Sequence, residues 1–213
     1  MTDPRHDAPL QVRAVRLDAP GTAALEGFSA AFGAGLSLVI DAEGEAKTEL
    51  LRLLAGERAP AAGTVRWRGR DVTALPAAER ASRTFWHDPR AAWPDLSPEQ
   101  WAQEQAACYP AWSVADWQAH VQGLGLNEHL HKEMFRLSTG SRRKVLLAAA
   151  LASGAPLTLI DEPEAALDWP SIRHLREALT DEARRCGESG RVFVVANCEP
   201  MPDVAWTQVL HLG

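Results

Sequence analysis

The sequence predicts an α/β fold in which a mainly parallel sheet is flanked by helices. Three apolar runs carry the prediction: Leu36-Ser37-Leu38-Val39-Ile40, Pro156-Leu157-Thr158-Leu159-Ile160 and Arg191-Val192-Phe193-Val194-Val195-Ala196. Each shows almost no polar alternation, which is how a strand buried on both faces of a parallel sheet reads. Each also runs directly into a polar stretch: Asp41 to Thr48, Asp161-Glu162-Pro163 and Asn197-Cys198-Glu199. Ligands of such sheets bind outside the carboxyl ends of the strands, which is where these stretches emerge.

Composition bounds the possibilities. At 213 residues, 46% apolar and 23% charged, the chain has ordinary values for a soluble globular protein of one or two domains with a sizeable core. A net charge of -6 argues against a nucleic-acid partner, which needs a dense basic face. The longest apolar run, Val145 to Ala152, falls well short of the ~20 residues of a membrane span, so no direct membrane insertion is expected. The polar stretch from Met1 to Pro9 shows no secretory signal. Cys108, Cys186 and Cys198 are too scattered for a disulfide framework or a metal knuckle. The expected location is cytoplasmic.

In chain order, Leu10, Val12, Val15 and Leu17 spell a first strand interrupted near Ala14, and Pro20-Gly21 marks a turn. Beyond the strand ending at Ile40, Leu50, Leu51, Leu53 and Leu54 fall in a helical pattern. Val65 and Trp67 alternate with Arg66 and Arg68, as in a half-buried strand. Ser82 to Trp86 reads as a further strand, ending at His87-Asp88-Pro89. Trp86, Trp93, Trp101, Trp112 and Trp117 share a segment with helix starts at Ser97-Pro98-Glu99 and Ser113, and most of them are expected to fill a small helical core. His129 and His131, two residues apart, do not share a helix face and read as solvated linker rather than metal ligands. A helix is expected from Arg142 to Ser153 and an amphipathic one from Arg173 to Cys186, with Leu175, Ala178, Leu179 and Ala183 inward. Trp206, Leu210 and Leu212 alternate in a last strand.

A strand, a tight loop, Lys-Thr and a helix make the layout of a phosphate-binding P-loop, G-x-x-x-x-G-K-[ST]. There the loop amides and helix N-terminus cradle the phosphates, Lys reaches the β and γ oxygens, and the hydroxyl binds Mg2+. Lys47, Thr48 and the inner Gly44 are present; Asp41 takes the first glycine place and Ala46 the second. The candidate cofactor-binding residues of this loop are Asp41, Gly44, Glu45, Ala46, Lys47 and Thr48. The adjacent Asp161 and Glu162 suit an NTPase, one carboxylate holding Mg2+ through water and the next orienting or deprotonating the attacking water.

Further motifs surround these. Leu51-Arg52-Leu53-Leu54-Ala55-Gly56, Pro60, Gly63 and the Thr64 to Val72 strand follow the loop; Leu137-Ser138-Thr139-Gly140-Ser141, basic residues and an Ala-rich helix precede Asp161-Glu162. In order and spacing, from about Leu10 to Leu212, the chain resembles the ATP-binding cassette (ABC) family. The resemblance implies a P-loop NTPase core with an N-terminal antiparallel β part and an inserted helical subdomain. Residues 1–213 would form a single ATP-binding domain, with 10–87 and 155–213 as core and about 88–154 as the helical subdomain. It also implies ATP and Mg2+ as cofactors, a second cassette as homo- or heterodimer partner, and transmembrane transporter subunits that hold the chain at the inner face of the cell membrane. By position, His87 takes the place of a glutamine that touches Mg2+ and the attacking water, and Cys198 that of a histidine that contacts the γ-phosphate. Ser138 and Gly140 belong to the signature that serves the opposite subunit's nucleotide, and Ala166-Leu167-Asp168 resembles the loop through which two cassettes communicate. The implied catalytic set is Glu162, His87 and Cys198, and the implied metal set Thr48, Asp161 and His87. The short length and the Thr64 to Gly69 strand bear a slight resemblance to heme-exporter cassettes of cytochrome c maturation, which does not fix the substrate.

The departures bear on activity. Asp41, Glu43 and Glu45 put carboxylates in or beside a loop meant for a polyanion; at ~8 Å and an effective dielectric near ~20, each opposes a phosphate charge by about 2 kcal/mol. A side chain at the first glycine place is tolerated when it points away, whereas Ala46 adds a Cβ where the backbone must approach phosphate closely. A thiol at Cys198 is a poor hydrogen-bond donor. Weakened ATP binding and more strongly weakened turnover are expected. Two readings stay open: an ATPase subunit driving transport, favoured by intact Asp161-Glu162, and a non-catalytic cassette offering its signature face to a competent partner, favoured by the altered P-loop, His87 and Cys198.

Overall fold

The computed structural model describes residues 8–42, 44–88 and 91–212, so the Glu43 and Pro89 of the motifs above lie outside the described residues. An antiparallel sheet comes first: β1 (Leu10–Arg16) lies between β2 (Phe28–Phe32) and β4 (Ala62–Trp67), and β4 pairs in turn with β5 (Arg70–Asp71). The interruption at Ala14 is a bulge with φ of 43° and a register shift between Val12 and Val15. It explains how Val12 and Val15, three residues apart, both reach the core. Gly63 faces it at φ +82°; a Cβ there would stand 2.4 Å from the carbonyl oxygens of Arg13 and Ala14, so the position accepts no side chain.

The second sheet is parallel throughout, in the order β6 (Thr84–Phe85), β7 (Leu157–Asp161), β8 (Val192–Asn197), β3 (Gly35–Ile40), β9 (Gln208–His211). β3, β7 and β8 are buried on both faces, and their alternate residues divide between two cores. Leu36, Leu38, Ile40, Ile160, Phe193 and Val195 face the helical side. Val39, Leu157, Leu159, Val192, Val194 and Ala196 face α1 (Ala46–Ala55) and the antiparallel sheet. The helical side is built by α3 (Pro98–Cys108), α4 (Val114–Gly123) and α5 (Thr139–Ala152), which lie between β6 and β7 in the chain, and by α6 (Trp169–Ser189). Ser97 and Gln100 form a capping box on α3, Ser113 caps α4 and Asp168 caps α6. Trp101 and Trp117 are buried in the helical core, with Trp93 and Trp112 packed on it, while Trp86 packs against the other core. Among the described residues no helix is long and apolar enough to cross a membrane.

Some boundaries depart from the sequence expectation. Ser82 and Arg83 are the last turn of α2 (Ala77–Arg83), a helix that starts straight after Pro76, and only Thr84 and Phe85 pair as strand. β2 was not expected, because Phe28-Ser29-Ala30-Ala31-Phe32 carries small residues and little alternation. α6 begins at Trp169, four residues early, since Asp168 accepts from the Ser171 amide and Pro170 suits a first turn. Trp206 lies outside the last strand; its indole donates to the Met201 carbonyl at 3.0 Å. His131 faces Glu99 at 3.0 Å and His129 faces Lys132 at 3.1 Å.

α4 and α6 are joined by a histidine pair, with His120 Nδ1 and His174 Nε2 3.1 Å apart. A Cβ on Gly123 would lie 2.1 Å from the His174 ring, so a glycine lets the two helices close on it. Burial and then His174 push His120 down to about 4, with Asp116 opposing and Arg185 assisting, while burial also lowers His174 against Glu177. The folded pKa lies below the unfolded one, so the pair's contribution is complete above roughly pH 6.5 and is lost as pH falls toward 4. Thermal unfolding followed between pH 7.5 and 4.5 should show this loss, and a His120→Gln variant should show a shallower slope. Equal slopes would remove the pair as the cause.

Candidate functional site

The site forms at the carboxyl ends of three neighbouring strands, β3, β8 and β7. Two backbone bonds continue the ladders past the strand ends and align their loops: the Asp41 amide donates to the Asn197 carbonyl at 3.1 Å, and the Glu162 amide to the Ala196 carbonyl at 2.8 Å. Lys47 sits in the first turn of α1, is 9% exposed, and donates to the Gly44 carbonyl at 3.0 Å while meeting Glu162 Oε1 at 3.1 Å. Burial would lower its ammonium, but Glu162, Asp161 and Asp41 outweigh that and hold it above its ordinary value. Next to it the Thr48 hydroxyl donates to Asp161 Oδ2 at 2.6 Å.

Asp161 is a buried carboxyl group of the site. Burial raises its pKa, opposed by the Thr48 bond and by Lys47. Its Oδ1 is buried and has no hydrogen-bond partner among the described residues. An orphan carboxylate oxygen next to a hydroxyl with free lone pairs suits a hard cation that takes oxygen ligands, so the donor set fits Mg2+. Glu162 follows at φ 47°, a left-handed conformation that turns its side chain out of the strand toward Lys47. Arg143 of α5 donates to the Asp161 carbonyl at 2.9 Å and also to that of Glu162, fixing both main-chain groups.

Asp41 does not point away from the loop. It is 4% exposed, and its Oδ2 accepts the Lys47 main-chain amide at 3.1 Å. The tolerated, outward arrangement of this position is therefore not the one adopted, because an inward carboxylate gains an amide at the α1 N-terminus and the nearby ammonium. Ala46 is buried and Glu45 exposed at the start of α1.

The remaining candidates are distributed unevenly. Cys198 brings its thiol within 3.7 Å of Glu162 Oε2, and burial and then that carboxylate raise its pKa, so it stays a thiol. His87 stacks on Trp93 at 4.2 Å between ring centroids and lies edge-on to Trp101; burial lowers its pKa despite Asp88, keeping it neutral, and its Nε2 is buried without a partner among the described residues. It lines a cleft of about 440 Å³ together with Asp161, Arg142, Arg143 and Phe135. Ser138 and Gly140 stand apart, at the exposed start of α5: the Ser138 hydroxyl caps the Ser141 amide at 3.0 Å, and a Cβ on Gly140 would meet the Ala166 carbonyl at 2.4 Å. Arg143 was not singled out from the sequence; its only signal was the basic run Arg142-Arg143-Lys144.

Comparison with known proteins agrees with this architecture. The family described as ABC transporter matches residues 39–165. A cytochrome c biogenesis ATP-binding export protein, CcmA, of Cupriavidus necator is 32% identical over 184 residues, covering 85% of this chain and 79% of that protein. The CcmA of Alkalilimnicola ehrlichii is 36% identical over 178 residues, covering 80% and 72%. A solved structure titled as a putative ABC transporter ATP-binding protein from Pyrococcus furiosus superposes with a TM-score of 0.74 over 95% of this chain and 96% of that one, at 19% identity. The chain belongs to the ABC transporter family, as an ATP-binding subunit of the ABC ATPase class.

Proposed function

We propose that the chain binds Mg-ATP in this site at a dimer interface and hydrolyses it, with lowered turnover, to drive transport by separate membrane subunits at the inner face of the cell membrane. The observation that carries the reading is the Lys47–Glu162 contact at 3.1 Å, which puts a phosphate-binding cation against a candidate base. When phosphate oxygens draw the Lys47 ammonium, Glu162 loses its partner and becomes free to take a proton from water. The Thr48 hydroxyl and Asp161 would hold Mg2+, which would supply positive charge at the phosphate oxygens. Thr48 and Lys47 offset part of the burial that raises the Asp161 pKa, and Arg143 keeps the backbone of both carboxylates in place. Cys198 donates weakly to Glu162 and brings no cation to the γ-phosphate place, which supports slow chemistry. Ser138 is exposed and Gly140 half-buried beside it, at the end of α5 that would serve a second cassette. Residues 10–87 and 155–213 act as the core and 88–154 as the helical part that meets the membrane subunit. Both relatives above are named as export proteins, which supports outward transport.

The neutral His87, held on Trp93, and the Cys198 thiol favour a second reading: a non-catalytic cassette that lends its signature to a competent partner. Glu162→Gln separates the two. In a hydrolysing subunit the variant should lose turnover by roughly a hundredfold and retain nucleotide with a shift to dimer on size exclusion. If occupancy and oligomeric state match the parent, the second reading stands.

A further inference from the structure

We propose that Asp41 is a built-in anion that occupies the phosphate place of its own loop and must swing out before a phosphate chain enters. The inference rests on the reading of this loop as the nucleotide site. Its carboxylate holds the Lys47 amide at 3.1 Å, one of the main-chain donors a P-loop turns on phosphate. It also lies over Gly44, where an added Cβ would stand 3.3 and 3.5 Å from its two oxygens. Glu45, at the cap position of α1, makes no side-chain cap bond, so Asp41 supplies the acceptor in the first turn. A phosphate entering the loop and Asp41 therefore compete for one main-chain amide. The Asp41 backbone is tied to Asn197, which leaves rotation of the side chain as the way to clear the loop. The residue therefore sets affinity without taking part in the chemistry.

Calorimetric titration of the full chain with Mg-ATP and, separately, with pyrophosphate tests this against Asp41→Gly and Asp41→Asn. Removing a charge-assisted bond that phosphate must displace should tighten both ligands by roughly ten- to a hundredfold in Asp41→Gly. Asp41→Asn keeps an acceptor and drops the charge, so its affinity should fall between parent and Asp41→Gly; it also decides the matter if the glycine variant does not fold. The ligand-free glycine variant should melt below the parent and recover with Mg-ATP, because the ligand replaces the lost cap. Binding by variants of a silent parent would support the proposal in the strongest form. Affinities in the variants equal to or weaker than a parent that binds would overturn it and leave the nucleotide site standing. No binding by any of the three folded chains would overturn the proposal together with the site reading.

Discussion

Lys47→Ala should abolish Mg-ATP binding at millimolar nucleotide, a loss of at least about a hundredfold, or roughly 3 kcal/mol. The ammonium is the side-chain cation that reaches across the loop, to Gly44 on one side and Glu162 on the other. Arg143 cannot replace it, since its guanidinium is committed to the carbonyls of Asp161 and Glu162. The substitution also removes the cation that meets the Glu162 side chain as a phosphate approaches, so repulsion adds to the lost attraction. Calorimetry reads the affinity, and an unchanged melting temperature would show that the chain stays folded. A variant that binds as tightly as the parent would move the nucleotide away from α1.

Phe193→Ala should cost about 4 kcal/mol of folding free energy. Phe193 is fully buried on β8, between β7 and β3, and its ring also carries the Arg191 guanidinium at 5.0 Å. The cavity would open in the middle of the parallel sheet, where neighbouring strands are paired on both sides and cannot collapse into it. For a chain of this size the melting temperature should drop by roughly 8–15 °C. A drop of a degree or two would mean that the helical side repacks freely and that the sheet is not the rigid part of the fold.

What could be read in advance follows from what each residue's neighbours in sequence decide. A strand buried on both faces announces itself by its own composition, and Leu36–Ile40 and Val192–Ala196 did so. Capped helices did too, because Ser97, Gln100 and Ser113 act on amides three residues away. β2 was missed because Ser29 and Ala30 take their state from pairing with β1, and the α2-to-β6 junction because Ser82 and Arg83 close a helix while only Thr84 and Phe85 find partners on β7. In the site, Lys47, Thr48, Asp161 and Glu162 were legible as residue types at strand ends. The direction of Asp41 was not, since it depends on an amide six residues on and on a cation contributed by a helix. Nor was the role of Arg143, whose partners lie across the chain at the end of β7.

That last contact makes α5 a crank. The outward-facing Ser138 caps α5, and five residues on Arg143 of the same helix grips the carbonyls of Asp161 and Glu162. Helical hydrogen bonds make one turn stiff, so a push of an ångström on the exposed end arrives at the Glu162 backbone with little slack. A body seated on the start of α5 would thus have a handle on the position of Glu162 without touching the loop that holds Lys47.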